Sequence, residues 1–243
     1  MQVNTENLMD DSAWNIDAAQ VQRTLTAELA LEHEWAAFLG RRPTLRRSAS
    51  SIVRRLRRVW RRVHPPTPAM VRRLVNIELS HFDLMRRGLE SQAPWILVME
   101  DDAFTADLTD LCQGLAGLMV ADPPAAYVNI SESFSTTELG IDHLLAPVSH
   151  AHWAGHQERS LVSAVRPVTN TVCAILYRRE FLTSLVTAME ALPLEPVVPI
   201  DWKLNLALMN MYRSGTITSG ECWLVEPAPI AQMSMRPAAI LPS

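Results

Sequence analysis

The stretch Trp95-Ile96-Leu97-Val98-Met99-Glu100-Asp101-Asp102-Ala103 decides the fold, because an apolar run entered through Pro94 ends in three consecutive carboxylates. The run from Ile96 to Met99 predicts a short strand covered on both faces, as in a parallel or mixed α/β sheet. Open α/β sheets place their ligands at the carboxyl ends of strands. Carboxylates there suit a hard divalent cation, since Mg²⁺ and Mn²⁺ prefer oxygen ligands and bridge to a substrate's phosphates. Strand alternation would turn Glu100 and Asp102 to one face and Asp101 to the other. The plainer alternative is that these acids cap the next helix or sit in a solvated turn.

Working outward, residues 69–89 read as a helix carrying Ser80 and His81, and residues 108–120 as an amphipathic helix. Residues 126–130 read as a second buried strand whose polar exit, 131–137, faces the same cleft. Residues 142–157, with His143, His150, His152 and His156, read as an irregular loop in which no spacing picks out a metal ligand. A strand over 171–177, helices over 179–191 and 202–213 and a last strand over 223–225 complete the pattern. Alternating strands and helices favour α/β layers.

Composition bounds the rest. A hydrophobic fraction of 48% and a charged fraction of 20% over 243 residues belong to a globular chain with one sizeable core. Cys112, Cys173 and Cys222 are widely spaced and odd in number, which argues against a disulfide framework or a zinc site and suits a reducing cytoplasm. No apolar run reaches the roughly 20 residues that span a bilayer, and the polar N-terminus is unlike a secretory signal.

The net charge of −4 conceals an asymmetry: residues 35–77 hold twelve arginines and no acidic residue. Residues 1–75 read as a helical, Arg-rich N-terminal region. Within it, 17–39 is a helix stopped by Gly40, and 50–63 a basic amphipathic helix with Ile52, Leu56, Val59, Trp60 and Val63 on one face. That stripe packs on the rest of the protein or lies on an anionic membrane surface. Nucleic acid is not an expected partner.

The segment Leu79-Ser80-His81-Phe82, followed by the run from Trp95 to Phe104, resembles glycosyltransferase family 25, which includes bacterial lipopolysaccharide and animal collagen galactosyltransferases. Asn170 to Leu182, Pro199-Ile200-Asp201-Trp202 and Glu226 to Ser234 are similar to later segments of that family in the same order. The resemblance covers residues 76 to 235 and lacks the family's opening strand with Asn-Leu-Asp. It implies a GT-A-like, Rossmann-like mixed sheet flanked by helices over 76–243. It also implies a cytoplasmic, Mn²⁺- or Mg²⁺-dependent hexosyltransferase, with a nucleotide-sugar donor and a glycan or glycolipid acceptor.

On that resemblance Asp102 is the expected direct metal ligand, Glu100 a second ligand or a partner of metal-bound water and ribose, and Asp101 the most peripheral of the three. Asp201 is the expected general base on the acceptor hydroxyl, or else the N-cap of the helix beginning at Trp202. Ser80, His81, Asn170 and Lys203 are candidates for substrate binding, Lys203 being the only lysine in the chain. The missing opening strand leaves three explanations: a divergent donor site, a late start codon, or an inactive protein that acts as a scaffold at a membrane.

Overall fold

The structure is a computed structural model that describes residues 34–40, 67–132, 141–169, 171–192 and 197–233, with Thr136 and the helical positions 23, 27, 30 and 31. The predicted basic helix at 50–63, Asn170 and Ser234 lie outside the described residues.

Helix α1, Pro68–Glu90, starts where the sequence dictates. The Thr67 hydroxyl accepts the Met70 N–H, and Pro68 occupies a first-turn position where a missing N–H costs nothing. Its buried residues, Val71, Val75, Glu78, His81, Phe82 and Met85, recur at helical spacing. The 75/76 boundary drawn from composition falls inside this helix. Residues 34–38 are helical and send Trp35 and Leu39 into the main core, with Trp35 edge-on to Trp202 and Arg213 bonded to Glu34. Gly40 follows with φ +60°, the left-handed conformation that ends helices.

After α1 come β1 (Trp95–Met99), β2 (Ala103–Phe104), α2 (Leu108–Met119), β3 (Tyr127–Asn129), β4 (Leu145–Pro147), β5 (Ser160–Ala164), β6 (Ala174–Arg178), α3 (Arg179–Glu190), α4 (Ile200–Arg213), β7 (Cys222–Glu226) and β8 (Ala231–Gln232). Six strands form one mixed sheet in the order β1-β6-β3-β7-β5-β4, while β2 and β8 make a separate ribbon. Among the described strands only β3 and β7 pair in parallel, a pairing that an isolated parallel bridge between Ser131 and Ile230 follows. These pairings point β1, β3, β4 and β7 the same way and β5 and β6 the opposite way. One end of the sheet therefore gathers the exits of β1, β3 and β7 and the entries of β5 and β6.

Strand β6 shows how the layers form. Ile175 and Tyr177 enter the core beneath α1, α3 and α4, while Ala174 and Leu176 enter the core beneath α2. A strand buried on both sides needs no polar alternation, which is why it reads as a continuous apolar run. The molecule is thus mixed α/β, a six-stranded sheet flanked by helices.

Two expectations change. Residues 142–157 are not wholly irregular: a 3₁₀ turn at Asp142–Leu144 leads into β4. The sequence reading also passed over β5, whose Ser160-Leu161-Val162-Ser163-Ala164 is too short and too mixed to announce itself, its pairing with β7 and β4 being supplied by distant chain.

Candidate functional site

The strand that begins the site stops one residue earlier than the carboxylates. β1 ends at Met99, and Glu100, Asp101 and Asp102 lie in a turn closed by the Ala103 N–H donating to the Glu100 carbonyl at 3.2 Å. Strand alternation therefore does not sort the three acids. The turn does: Asp101 is exposed at its corner, while Glu100 and Asp102 are half-buried.

Distant segments converge on this turn. The Nε2 of His81, on the buried face of α1, lies 3.3 Å from Glu100 Oε1. Gln232, on β8, donates its amide to Glu100 Oε2 at 2.8 Å, and the neighbouring Met233 N–H donates to the Asp102 carbonyl at 3.0 Å. β8 reaches this point because it pairs with β2, setting Ala103 opposite Gln232. From the other side, the Glu100 N–H donates to the Cys173 carbonyl at 2.8 Å, continuing by one residue the register that sets Met99 opposite Ala174.

One donor atom each from Glu100, Asp102 and Cys173 lie within 4.8 Å of one another. With metal–ligand bonds of about 2.0–2.3 Å, donors around one ion stand about 3–4.4 Å apart. Three donors cannot all stand at the wide end of that range, so sharing one divalent cation would draw the groups together by up to about 1 Å. The field is already negative: burial, then Glu100, then Asp102 push the Cys173 thiol up to about 12.

The remaining candidates are distributed differently. Ser80 faces solvent, one residue from His81 but without its tie to Glu100. Lys203 is buried and its ammonium is paired with the buried Glu78 of α1, which holds α4 to α1 and turns the charge inward. Asp201 is half-buried in the first turn of α4, but the helix begins at Ile200 with Pro199 as its N-cap, so Asp201 does not cap it. His143 and His150 meet the carbonyls of Gly40 and Pro123, and His156 meets Asp107 at 2.9 Å. Among the described residues none of these histidines joins the Glu100–Asp102–Cys173 set.

Sequence reading missed Cys173 and Gln232 as members of this cluster. Cys173 is 73 positions from Glu100 and has no ligand spacing to betray it; only the β1–β6 register sets them opposite. Gln232 carried a weak signal, a polar side chain among Ile230, Ala231 and Met233.

A second acidic group lies at the same end of the sheet. Asp107 accepts the Asp110 N–H at 2.9 Å as the N-cap of α2. Asp110 is buried and accepts from the Gln157 N–H at 2.8 Å, Arg159 Nε at 3.1 Å and Trp153 Nε1 at 3.3 Å. Burial alone would raise the Asp110 carboxyl, but these donors together hold it below its ordinary range. Between this group and the β2–β8 ribbon is a cavity of about 150 Å³ lined by Thr105, Glu132, Arg159 and Ala231 among others. Arg159 also bonds the Pro227 carbonyl and Gln157, so its guanidinium is committed to the fold.

No protein-family model matches the chain, and no curated protein matches it. Among the described residues no helix is long and apolar enough to cross a membrane.

Proposed function

We propose that the chain is a metal-dependent glycosyltransferase of the GT-A type that moves a hexose from a nucleotide-sugar donor to an acceptor hydroxyl. The observation that carries this reading is the meeting of His81, Glu100, Asp102 and Gln232 at one strand end. These residues come from three of the segments that resemble glycosyltransferase family 25. A mixed sheet flanked by helices is compatible with that fold type.

In this reading Glu100 and Asp102 hold Mn²⁺ or Mg²⁺, which when bound supplies the positive charge that a departing nucleoside diphosphate needs. His81 and Gln232 each occupy one Glu100 oxygen and so fix that carboxylate's orientation, the ordinary task of groups behind a ligand. The Asp201 carboxylate takes the proton of the acceptor hydroxyl as its oxygen bonds to the anomeric carbon, giving inversion there. The acceptor is a glycan or glycolipid, met on the cytoplasmic side and at an anionic membrane surface if the basic segment 50–63, predicted to be helical, lies on lipid.

One observation favours a second reading, a non-catalytic module that keeps the sheet without a donor site. The cavity beside the β2–β8 ribbon, about 150 Å³, is lined by Asp107 and Glu132 rather than by Glu100 or Asp102, and is well below the roughly 300–1,000 Å³ of sites that enclose small-molecule ligands. Calorimetric titration of the full chain with UDP-hexoses, with and without Mn²⁺, separates the two. Mn²⁺-dependent donor binding is the expected result; a folded chain that binds no nucleotide sugar in either condition rejects the enzyme.

A further inference from the structure

Cys173 is the donor at the end of β1 that a carboxylate-only metal site leaves unexplained. Its side chain is fully buried, and its thiol makes no hydrogen bond among the described residues. It sits at the margin of the apolar core beneath α2 and yet faces two carboxylates within 4.8 Å. A small buried thiol ordinarily behaves as a hydrophobe, and that role accounts for the apolar side of Cys173 but not for the two carboxylates beside it. The two carboxylates set a negative field beside the thiol. A divalent cation between the three groups reverses that field, and a coordinating thiol is then deprotonated.

We propose that Cys173 is a sulfur ligand to the divalent cation shared by Glu100 and Asp102, so that the site favours thiophilic ions such as Co²⁺, Zn²⁺ or Cd²⁺ over Mg²⁺. The inference rests on reading Glu100 and Asp102 as metal ligands. As the metal–sulfur bond forms, the S–H bond breaks and its proton passes to solvent. Sulfur adds little for Mg²⁺, which is hard and keeps its waters, and it adds much for borderline ions. The ligand set is two oxygens and one sulfur, and the ion's remaining positions are left for substrate oxygens.

The test uses Co²⁺ alone, on the full chain carrying Cys112→Ser to remove the exposed thiol. A sulfur-to-cobalt charge-transfer absorption that saturates at one ion per chain is expected. Cys173→Ser should abolish that band, and the preference for Zn²⁺ over Mg²⁺ in competition titrations should fall by at least about tenfold. Cys173→Ala, checked by circular dichroism, guards against a serine-specific folding defect. Cobalt binding with no sulfur band, or a band that survives both Cys173 substitutions, overturns the inference while leaving an oxygen-only metal site standing. A sulfur band with no nucleotide-sugar binding keeps Cys173 as a ligand and rejects the transferase. A folded chain that binds none of these ions rejects the metal site together with its sulfur ligand.

Discussion

Two acidic pairs lie at the same end of this sheet, and their neighbours treat them differently. Asp107 and Asp110 meet a helix N-terminus, a backbone N–H, an indole and a guanidinium. Glu100 meets an imidazole and an amide, shares its turn with Asp102, and faces the Cys173 thiol across the β1–β6 register. A carboxylate surrounded by N–H donors and a fixed cation is complete and serves the fold. Glu100, met by an imidazole and an amide rather than by a guanidinium, stands with Asp102 and Cys173 as three donors grouped within 4.8 Å. The comparison separates structure from function by the partners of each charge, since both pairs look alike as Asp or Glu two or three residues apart.

The largest expected effect is on stability at the first pair. Asp110→Ala leaves the Arg159 guanidinium, whose side chain is 7% exposed, without its buried partner. Breaking a buried ion pair in this way costs about 3–5 kcal/mol. Urea denaturation followed by circular dichroism should show a loss of that order, and a loss below about 1 kcal/mol would mean that the network is replaceable.

Next comes Asp102→Ala, which should weaken Mn²⁺ binding by more than about 100-fold, beyond what removal of a group behind a ligand costs. Because Asp102 is only half-buried, the variant should remain folded at neutral pH by circular dichroism. In the unmodified chain, Mn²⁺ at 100 times its dissociation constant should add about 2.7 kcal/mol of stability, visible as a rise in Tm that the variant lacks. Parallel losses of fold and of metal binding would erase the distinction between the two pairs.

How much of this was legible can be judged from β1 and β5. The run Ile96 to Met99 announced a buried strand because both its composition and the acids after it are local signals. The three acids were assigned to faces by extending the strand through them, whereas the Ala103–Glu100 hydrogen bond makes a turn there. β5 was invisible because its identity as a strand comes from β7 and β4, which are far away in sequence. The same holds for the site. His81 and the carboxylates were singled out from local motifs, but Cys173 and Gln232 join them only through register. Asp110 was invisible for the same reason: nothing local to residue 110 forecasts Gln157, Trp153 or Arg159.

A smaller effect concerns acid. The folded Asp110 carboxyl sits below its ordinary value of 3.8, so it binds a proton less readily in the folded chain than in the unfolded one. Its contribution to stability is therefore complete above that ordinary value and is lost as pH falls through the lower, folded value. Asp110→Asn should flatten the acid limb of stability against pH, the gap between the two proteins closing at low pH. A gap unchanged from neutral pH down to the acid transition would assign the titration to other groups.

The smallest expected effect is that of Asp101→Ala, and it probes the geometry of the turn most directly. Asp101 occupies the exposed corner between Glu100 and Asp102, where exposed side chains usually change stability by no more than about 0.5 kcal/mol. Its carboxylate is exposed and is not among the donors grouped with Cys173, so what remains is a screened interaction with any ion bound there. Mn²⁺ affinity should fall by less than about threefold at physiological salt, and the residual difference should shrink further as salt is raised. A loss matching that of Asp102→Ala would require the turn to rotate Asp101 inward when an ion binds. The division of labour would then belong to the loaded protein alone, and the resemblance between the two acidic pairs would be closer than their resting partners suggest.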